Sequence, residues 1–323
     1  MPFFSQTEGF AECNRLGSLG KPFLFVISYD KSSIFVSSLD ELDSDIYYKL
    51  GTYRNFSPKP LTKSYNFTKH IVDFAKYKKS FDSIIWQIEA GNSYLANLTF
   101  KTRIDTDLSL YEIFGAARAK YKLYFKGQFI CFSPEKFIEI QNDTISTYPM
   151  KGTIDANTTN AKDTILNNPK ELAEHIMITD LMRNDIGMVA NQIRVEDFRY
   201  IESIKAGEQE LLQVSSKISG KLSSNWRNGI GDLLCKITPA GSVTGTPKKS
   251  TVDILSKIED YERGFYTGVF GIVDNDTLVS SVMIRFIERD NDDLYYKSGG
   301  GITLDSDCES EYAEMARKIY LPF

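Results

Sequence analysis

Short β-like runs separated by Asn-centred triplets constrain this chain more than any other feature. Gln141-Asn142-Asp143 falls within residues 121–147, which read as three strands. Asp274-Asn275-Asp276 and Asp290-Asn291-Asp292 break residues 265–303 into three more β runs. Triplets of this kind between β runs specify hairpins. The amino-terminal part adds runs at 23–28 and 33–38, and residues 92–101 read as a further strand. Helical spacing occupies 65–90, where Ile71, Phe74, Ala75, Ile84, Ile85 and Ile88 recur and Gly91-Asn92 closes the run. Helices are also expected at 109–120, 169–188, 231–237, 246–258 and 308–320. Of these, 169–188 has the clearest start, with Asn168 as cap and Pro169 at the first helical position. Hairpins outnumber β-helix-β alternations, which predicts an α+β fold rather than a doubly wound sheet.

The 323 residues suit one large domain or two modest ones, with ample apolar material for a core. A net charge of −5 with no basic arm or stripe argues against nucleic acid as a partner. It leaves anionic small molecules open, because a pocket can be locally positive on an acidic protein. Cys13, Cys131, Cys235 and Cys308 lie far apart without CxxC spacing, so they are expected as free thiols. No secretory signal opens the chain, and no apolar stretch approaches the ~20 residues that span a bilayer. A cytoplasmic protein without membrane partners is the resulting expectation. His70 and His175 are the only histidines, so a His-rich metal site or a Ser-His-Asp arrangement has almost nothing to draw on. Chemistry here must rest on carboxylates, lysines, a metal or backbone groups.

Two of the expected helices repeat one device. Glu171 and Glu174 stand three apart, as do Glu311 and Glu314, and residues at that spacing share a helix face. If the helices meet, four carboxylates converge on a site suited to a hard cation such as Mg²⁺. The same spacing also describes solvated surface glutamates. Between Thr238 and Ser250, Gly241 and Gly245 permit close backbone approach and Thr246 can cap the next helix. The loop lacks the Gly-Lys-Ser/Thr ending of a P-loop. Gly299, Gly300 and Gly301 weaken a strand, which suggests a ligand close to the backbone or a plain flexible turn. Lys151 follows Tyr148-Pro-Met and precedes Gly152. Only burial or neighbouring cations would make it a nucleophile. Arg183-Asn184-Asp185 reads as structural, a buried ion pair or a helix-end hydrogen-bond network.

The order of these elements says more than any one of them. Ser133-Pro-Glu-Lys-Phe137, Pro149-Met-Lys-Gly-Thr153, the run Glu171 to Asp185 and Pro239-Ala-Gly-Ser-Val-Thr-Gly-Thr-Pro-Lys248 come first. Arg263-Gly-Phe-Tyr-Thr-Gly268, Ile284-Arg285, Gly299-Gly-Gly-Ile-Thr-Leu-Asp-Ser306 and Glu311-Tyr-Ala-Glu314 follow. From about Tyr65 to the carboxyl terminus, this series resembles the chorismate-binding family. That family comprises the large subunits of anthranilate synthase and aminodeoxychorismate synthase, with isochorismate and salicylate synthases. The resemblance implies stacked, largely antiparallel sheets flanked by helices around a central cleft. Residues 65–323 would form the catalytic core, and 1–64 a short amino-terminal part of the same domain.

By matching position, Glu174 and Glu314 would ligate Mg²⁺, with Glu171 and Glu311 close by. Glu135 would be the general acid for the C4 hydroxyl of chorismate, which requires a raised pKa. Arg285, Tyr266 and the backbone at Gly299, Gly300 and Gly301 would hold the enolpyruvyl carboxylate. Lys318 would lie near the ring carboxylate, and Thr153 with the loop from Gly241 to Gly245 would line the cleft. The Pro-x-Lys-Gly-Thr pattern around Lys151 resembles aminodeoxychorismate synthases, where the lysine amine adds at C2 before ammonia displaces it by attack at C4. Anthranilate synthases usually have alanine there and form the alternative assignment. Isochorismate and salicylate synthases use a lysine base where this chain has Leu95. Two positions depart from relatives that add nitrogen: Leu95 for glutamine and Gln213 for histidine. They raise a further alternative, a non-catalytic paralogue that binds an amidotransferase. Ammonia is expected from a separate glutamine amidotransferase subunit, and conversion to 4-aminobenzoate from another protein. The short amino-terminal part gives no expectation of feedback control by tryptophan.

Overall fold

The computed structural model describes residues 3–206 and 209–323. Helix α1 (Gln6–Ser18) leads into the hairpin of β1 (Phe23–Ile27) and β2 (Ile34–Ser38). Strands β3 (Ile46–Leu50), β4 (Tyr53–Arg54) and β5 (Phe67–His70) precede α2 (Phe74–Glu89), β6 (Leu95–Thr106) and α3 (Leu110–Ala116). Next come β7 (Tyr121–Phe125), β8 (Phe129–Ser133), β9 (Lys136–Gln141), β10 (Thr144–Thr147) and β11 (Met150–Asp155). Helices α4 (Ala161–Leu166) and α5 (Pro169–Gly187) are followed by the long strands β12 (Asn191–Ala206) and β13 (Gln209–Lys221). Helix α6 (Ile230–Ile237), β14 (Gly245–Thr246) and α7 (Lys248–Ile258) lead to β15 (Val269–Asp274) and β16 (Thr277–Val282). Strands β17 (Phe286–Asp290) and β18 (Asp293–Ile302) and helix α8 (Cys308–Arg317) complete the order.

Among the described residues the strands form two nine-stranded sheets. One runs β11-β13-β10-β9-β16-β15-β1-β2, with β12 also on β13. The other runs β14-β6-β18-β17-β8-β7-β3-β4, with β5 also on β6. Neighbouring strands pair antiparallel, as a hairpin-rich sequence requires. Strand β1 shows how the sheets stack. Phe23, Phe25 and Ile27 pack with α1 and α6 on the outer face of the first sheet. Leu24 and Val26 point the other way, into a core shared with Phe125, Phe129 and Phe286 of the second sheet. Helices α2, α3, α7 and α8 cover the outer face of the second sheet. The result is an α+β stack of helices, sheet, sheet and helices. Each fully buried Phe or Leu contributes about 1.5–3 kcal/mol to it.

Several expected boundaries move. Residues 65–90 divide into β5, which pairs with β6 from Phe67↔Thr106 to His70↔Arg103, and α2, whose Asp73 cap accepts from the Ala75 amide at 2.8 Å. Residues 121–147 hold four strands, because Lys126 and Gly127 turn at φ 48° and 66°. Residues 265–303 also hold four, starting at Val269. Thr246 belongs to β14, and Pro247 stands at the cap of α7. The helices expected at 109–120 and 308–320 end at Ala116 and Arg317.

Candidate active site

Helix α5 starts where Asn168 accepts from the Glu171 amide at 3.2 Å, with Pro169 in the first turn. Helix α8 starts where Asp307 accepts from the Ser310 amide at 2.9 Å. Each helix thus presents its glutamate pair within two turns of a capped amino terminus. Strand β11, at the edge of the first sheet, packs on α5, and β18, inside the second, packs on α8. Lys151 on β11 points its Nζ at Glu174 Oε2, 3.3 Å away, with both side chains largely buried. Lys318, just past α8, bonds Glu314 Oε1 at 2.7 Å and the Gly299 carbonyl at 2.8 Å. Ser306 Oγ donates to Glu311 Oε1 at 3.1 Å.

The two glutamate helices lie near enough for their carboxyls to influence one another. Burial pushes the Glu171 carboxyl above its ordinary range, and Glu174 and then Glu314 of the other helix add to this against Lys151 and Lys170. Burial likewise raises Glu311, with Glu314 adding to it and Ser306, Lys170 and Lys318 opposing. Burial also pushes on Glu314, but Lys318, Lys151 and Arg317 together hold that carboxyl below its ordinary range. Lys151 and Lys318 thus pair directly with two of the four carboxylates, and Lys170 and Arg317 act from further off. An all-oxygen set of this kind fits a hard divalent cation such as Mg²⁺. The backbone leaves room for these carboxylates: a Cβ on Gly152 would lie 2.9 Å from Glu171 Oε2, and one on Gly300 would lie 3.3 Å from Glu311 Oε2. Among the described residues, no group of three or more His, Cys, Asp or Glu side chains is already drawn into metal-ligand spacing.

Glu135 lies between β8 and β9 and accepts from Ser242 Oγ. Burial raises its carboxyl above the ordinary range, and Ser242, Lys151, Arg285 and Lys318 only partly offset this. Arg285 sits between β16 and β17 at φ 51°, a left-handed backbone that is uncommon outside glycine and clusters at functional sites. Its guanidinium lies 5.6 Å from the Tyr320 ring centre, and its buried Nε has no hydrogen-bond partner among the described residues. Tyr266 is buried and packs on Phe286.

The glycines divide by what they face. A Cβ on Gly299 would lie 2.3 Å from the Leu98 carbonyl, so this glycine serves the pairing of β18 with β6. Gly300 faces Glu311 and Lys318. Gly301 faces Lys151, whose Nζ would lie 3.2 Å from an added Cβ, with Leu95 at 3.9 Å. At 300 and 301 the missing side chains make space for the cluster's own charged groups. Gly245, at φ 133°, lies against the Leu95 carbonyl, 2.0 Å from an added Cβ, and Gly241 lies against Asp185 and Leu181. Both glycines thus pack on protein. Thr153 is exposed and pairs with Gln213 across β11 and β13. The Arg183-Asn184-Asp185 run splits. Arg183 pairs with Asp180 at the surface, while Asp185 forms a 2.7 Å ion pair with Lys248 in the interior, the structural pair that its apolar setting suggested. Ser242 and Ser306 escaped the sequence reading. Ser242 meets its partner across 107 positions, which no local pattern encodes, whereas Ser306 lies five residues before Glu311 at a helix entry.

Residues 23–322 match the family described as chorismate binding enzyme. The chain belongs to that family. It is 46% identical over 314 residues to a protein of Haemophilus influenzae named uncharacterized PabA-like protein, covering 96% of this chain and 95% of that one. It is 29% identical to aminodeoxychorismate synthase component 1 of Bacillus subtilis over 76% of this chain and 54% of that one. In fold it is similar to the menaquinone-specific isochorismate synthase of Escherichia coli, with a TM-score of 0.73 at 14% identity, covering 98% of this chain and 82% of that one. Among the described residues no helix is long and apolar enough to cross a membrane.

Proposed function

We propose that this member of the chorismate-binding family is the large subunit of an aminodeoxychorismate synthase, converting chorismate and ammonia to 4-amino-4-deoxychorismate and water. The observation that carries the reading is the position of Lys151. Its amine stands between Glu174 and Gly301, inside the corner where the two glutamate helices meet. Relatives named aminodeoxychorismate synthase component 1 support the same choice.

In this reading Glu171, Glu174, Glu311 and Glu314 hold Mg²⁺. Bound there, the ion supplies Lewis acidity toward the ring carboxylate. Lys318 lies beside the same carboxylate. Arg285, with its unpartnered Nε, receives the enolpyruvyl carboxylate, and Tyr266 with the backbone at Gly299, Gly300 and Gly301 shapes that end of the cleft. Glu135, its carboxyl raised by burial, is protonated closer to neutrality than a solvated glutamate and donates that proton to the departing C4 hydroxyl. The Lys151 amine bonds to C2 as the ring double bond shifts and the C4 oxygen leaves as water. Ammonia then bonds to C4, the double bond shifts back, and the Lys151 amine departs from C2. Ammonia comes from a glutamine amidotransferase partner, in keeping with the "component 1" of the relatives' names. Leu95, buried beside Gly301, puts an aliphatic wall where a lysine base would activate water.

The test is product analysis with purified protein, chorismate, Mg²⁺ and ammonium. The expected product is 4-amino-4-deoxychorismate. Isochorismate or salicylate without any amine would overturn the assignment, and fluorescent anthranilate would redirect it to anthranilate synthase. Lys151→Ala should cut 4-amination sharply, and retained full activity would refute the nucleophile.

A further inference from the structure

We infer that the Lys151 ammonium stands in for the divalent cation at Glu174 and must leave that carboxylate when the cation binds, so that loading the metal site and releasing the Lys151 amine are one event. The inference rests on the reading of the four glutamates as metal ligands. It concerns a competition between this chain's own side chain and the ion, which that reading does not contain.

Lys151 Nζ lies 3.3 Å from Glu174 Oε2, and the side chains are 24% and 13% exposed, so the pair is shielded from solvent. A carboxylate that turns toward a dication exposes any ammonium still beside it to repulsion at close range in a poorly screened corner. One of the two lysines has to yield, and the surroundings distinguish them. Lys318 has a second anchor, the Gly299 carbonyl at 2.8 Å. For Lys151, Glu174 is the sole hydrogen-bond acceptor of Nζ among the described residues. Lys151 Nζ also lies against Gly301, 3.2 Å from where a Cβ on that residue would stand, so the absence of a side chain there is what makes room for the amine. The supporting strand is also irregular at this point. Pairing of β11 with β13 is irregular between Met150 and Thr153, and Gly152 takes φ 83°. The arrangement keeps the amine bound while the site lacks its ion. It directs the released amine toward the wall formed by Gly301 and Leu95.

Isothermal titration of Mg²⁺ into the full chain, the K151M variant and the E174Q variant tests this without reference to turnover. Methionine retains most of the lysine stem and removes the competing charge. K151M should bind Mg²⁺ about tenfold more tightly than the unaltered chain, equivalent to about 1.4 kcal/mol, and E174Q should bind it more weakly. In the unaltered chain, Mg²⁺ should increase labelling of Lys151 by an amine-selective reagent, read by peptide mass spectrometry. This second measurement does not depend on a variant folding. Equal or weaker Mg²⁺ binding by K151M, or labelling of Lys151 that falls with Mg²⁺, overturns the competition. If the unaltered chain still binds Mg²⁺ and E174Q loses it, the metal-site reading survives that result. Absence of Mg²⁺ binding in all three proteins removes the metal-site reading and the competition together.

Discussion

Replacing Asp185 by asparagine should destabilise this protein strongly, and adding Lys248→Met should restore much of the loss. Lys248 Nζ lies 2.7 Å from Asp185 Oδ2, with the side chains 18% and 9% exposed. Burial raises the Asp185 carboxyl and lowers the Lys248 ammonium, in each case outweighing the attraction of the partner. The ion pair is therefore costly to bury, and its loss on one side leaves a bare charge. Removing one member of such a pair costs about 3–5 kcal/mol. At ~2.1 cal/mol/K per residue, unfolding this chain carries an entropy of roughly 0.7 kcal/mol/K, so Tm should fall by about 4–7 °C. In the double variant the buried charge is gone. The main remaining loss is the hydrogen bond from Lys248 to the Ile237 carbonyl, 3.0 Å in the parent structure. Its absence costs about 1–2 kcal/mol. Scanning calorimetry of the parent, both single variants and the double variant completes the cycle. A double variant less stable than Asp185→Asn would refute the reasoning, because it would mean that Lys248 was not left as an uncompensated charge.

His175 is buried, and that burial, reinforced by the Arg199 charge, pushes its pKa down to about 4 from an ordinary 6.5. The unfolded chain gains this proton near pH 6.5 and the folded chain only near 4, so stability falls as pH drops through that window, by about 3 kcal/mol in total. His175→Gln should remove this slope in denaturant titrations at stepped pH; an unchanged slope would assign it to other groups. Gly299→Ala would place a Cβ 2.3 Å from the Leu98 carbonyl, backbone that cannot give way, and should lower Tm markedly. Gly301→Ala meets the end of the flexible Lys151 side chain at 3.2 Å and Leu95 at an ordinary 3.9 Å, and should keep Tm while lowering the amination rate. Equal Tm for the two alanine variants would contradict the contrast.

Where local chemistry decided local structure, the fold was legible in the sequence. Asn142 and Asp143 take φ 49° and 57°, and Asn275 and Asn291 take φ 50° and 55°, the left-handed turns that Asn and Asp tolerate. Asn168-Pro169 began α5 as its capping chemistry requires. The turn at Lys126-Gly127 was missed because Lys carries no turn signature. Strand β12 pairs with β13 through register shifts between Asn191 and Tyr200, an irregularity that no simple alternation in the sequence announces. Strand β5 resembled a helix start until its pairing with β6 was known, and that pairing is a tertiary fact.

The glutamate pairs show what spacing can and cannot say about a site. Negative side chains near a helix amino terminus are favoured by the helix dipole alone. Glu171 and Glu311 in the first turns of α5 and α8 would therefore be unremarked on two separate surface helices. Their meeting is not explained that way. Glu314 of α8 raises Glu171 of α5, so the fold brings together like charges that helix dipoles would leave apart. Such repulsion persists in a native state only where something offsets it. Lys151 and Lys318 do so directly, each paired with one of the glutamates. Both lysines come from outside the helices they neutralise: one from the edge strand of the first sheet, the other from just past the end of α8. No helical pattern in the sequence could have announced the strand lysine. Its place follows from the stacking of two sheets, which seats the β11 edge against Gly301 of β18.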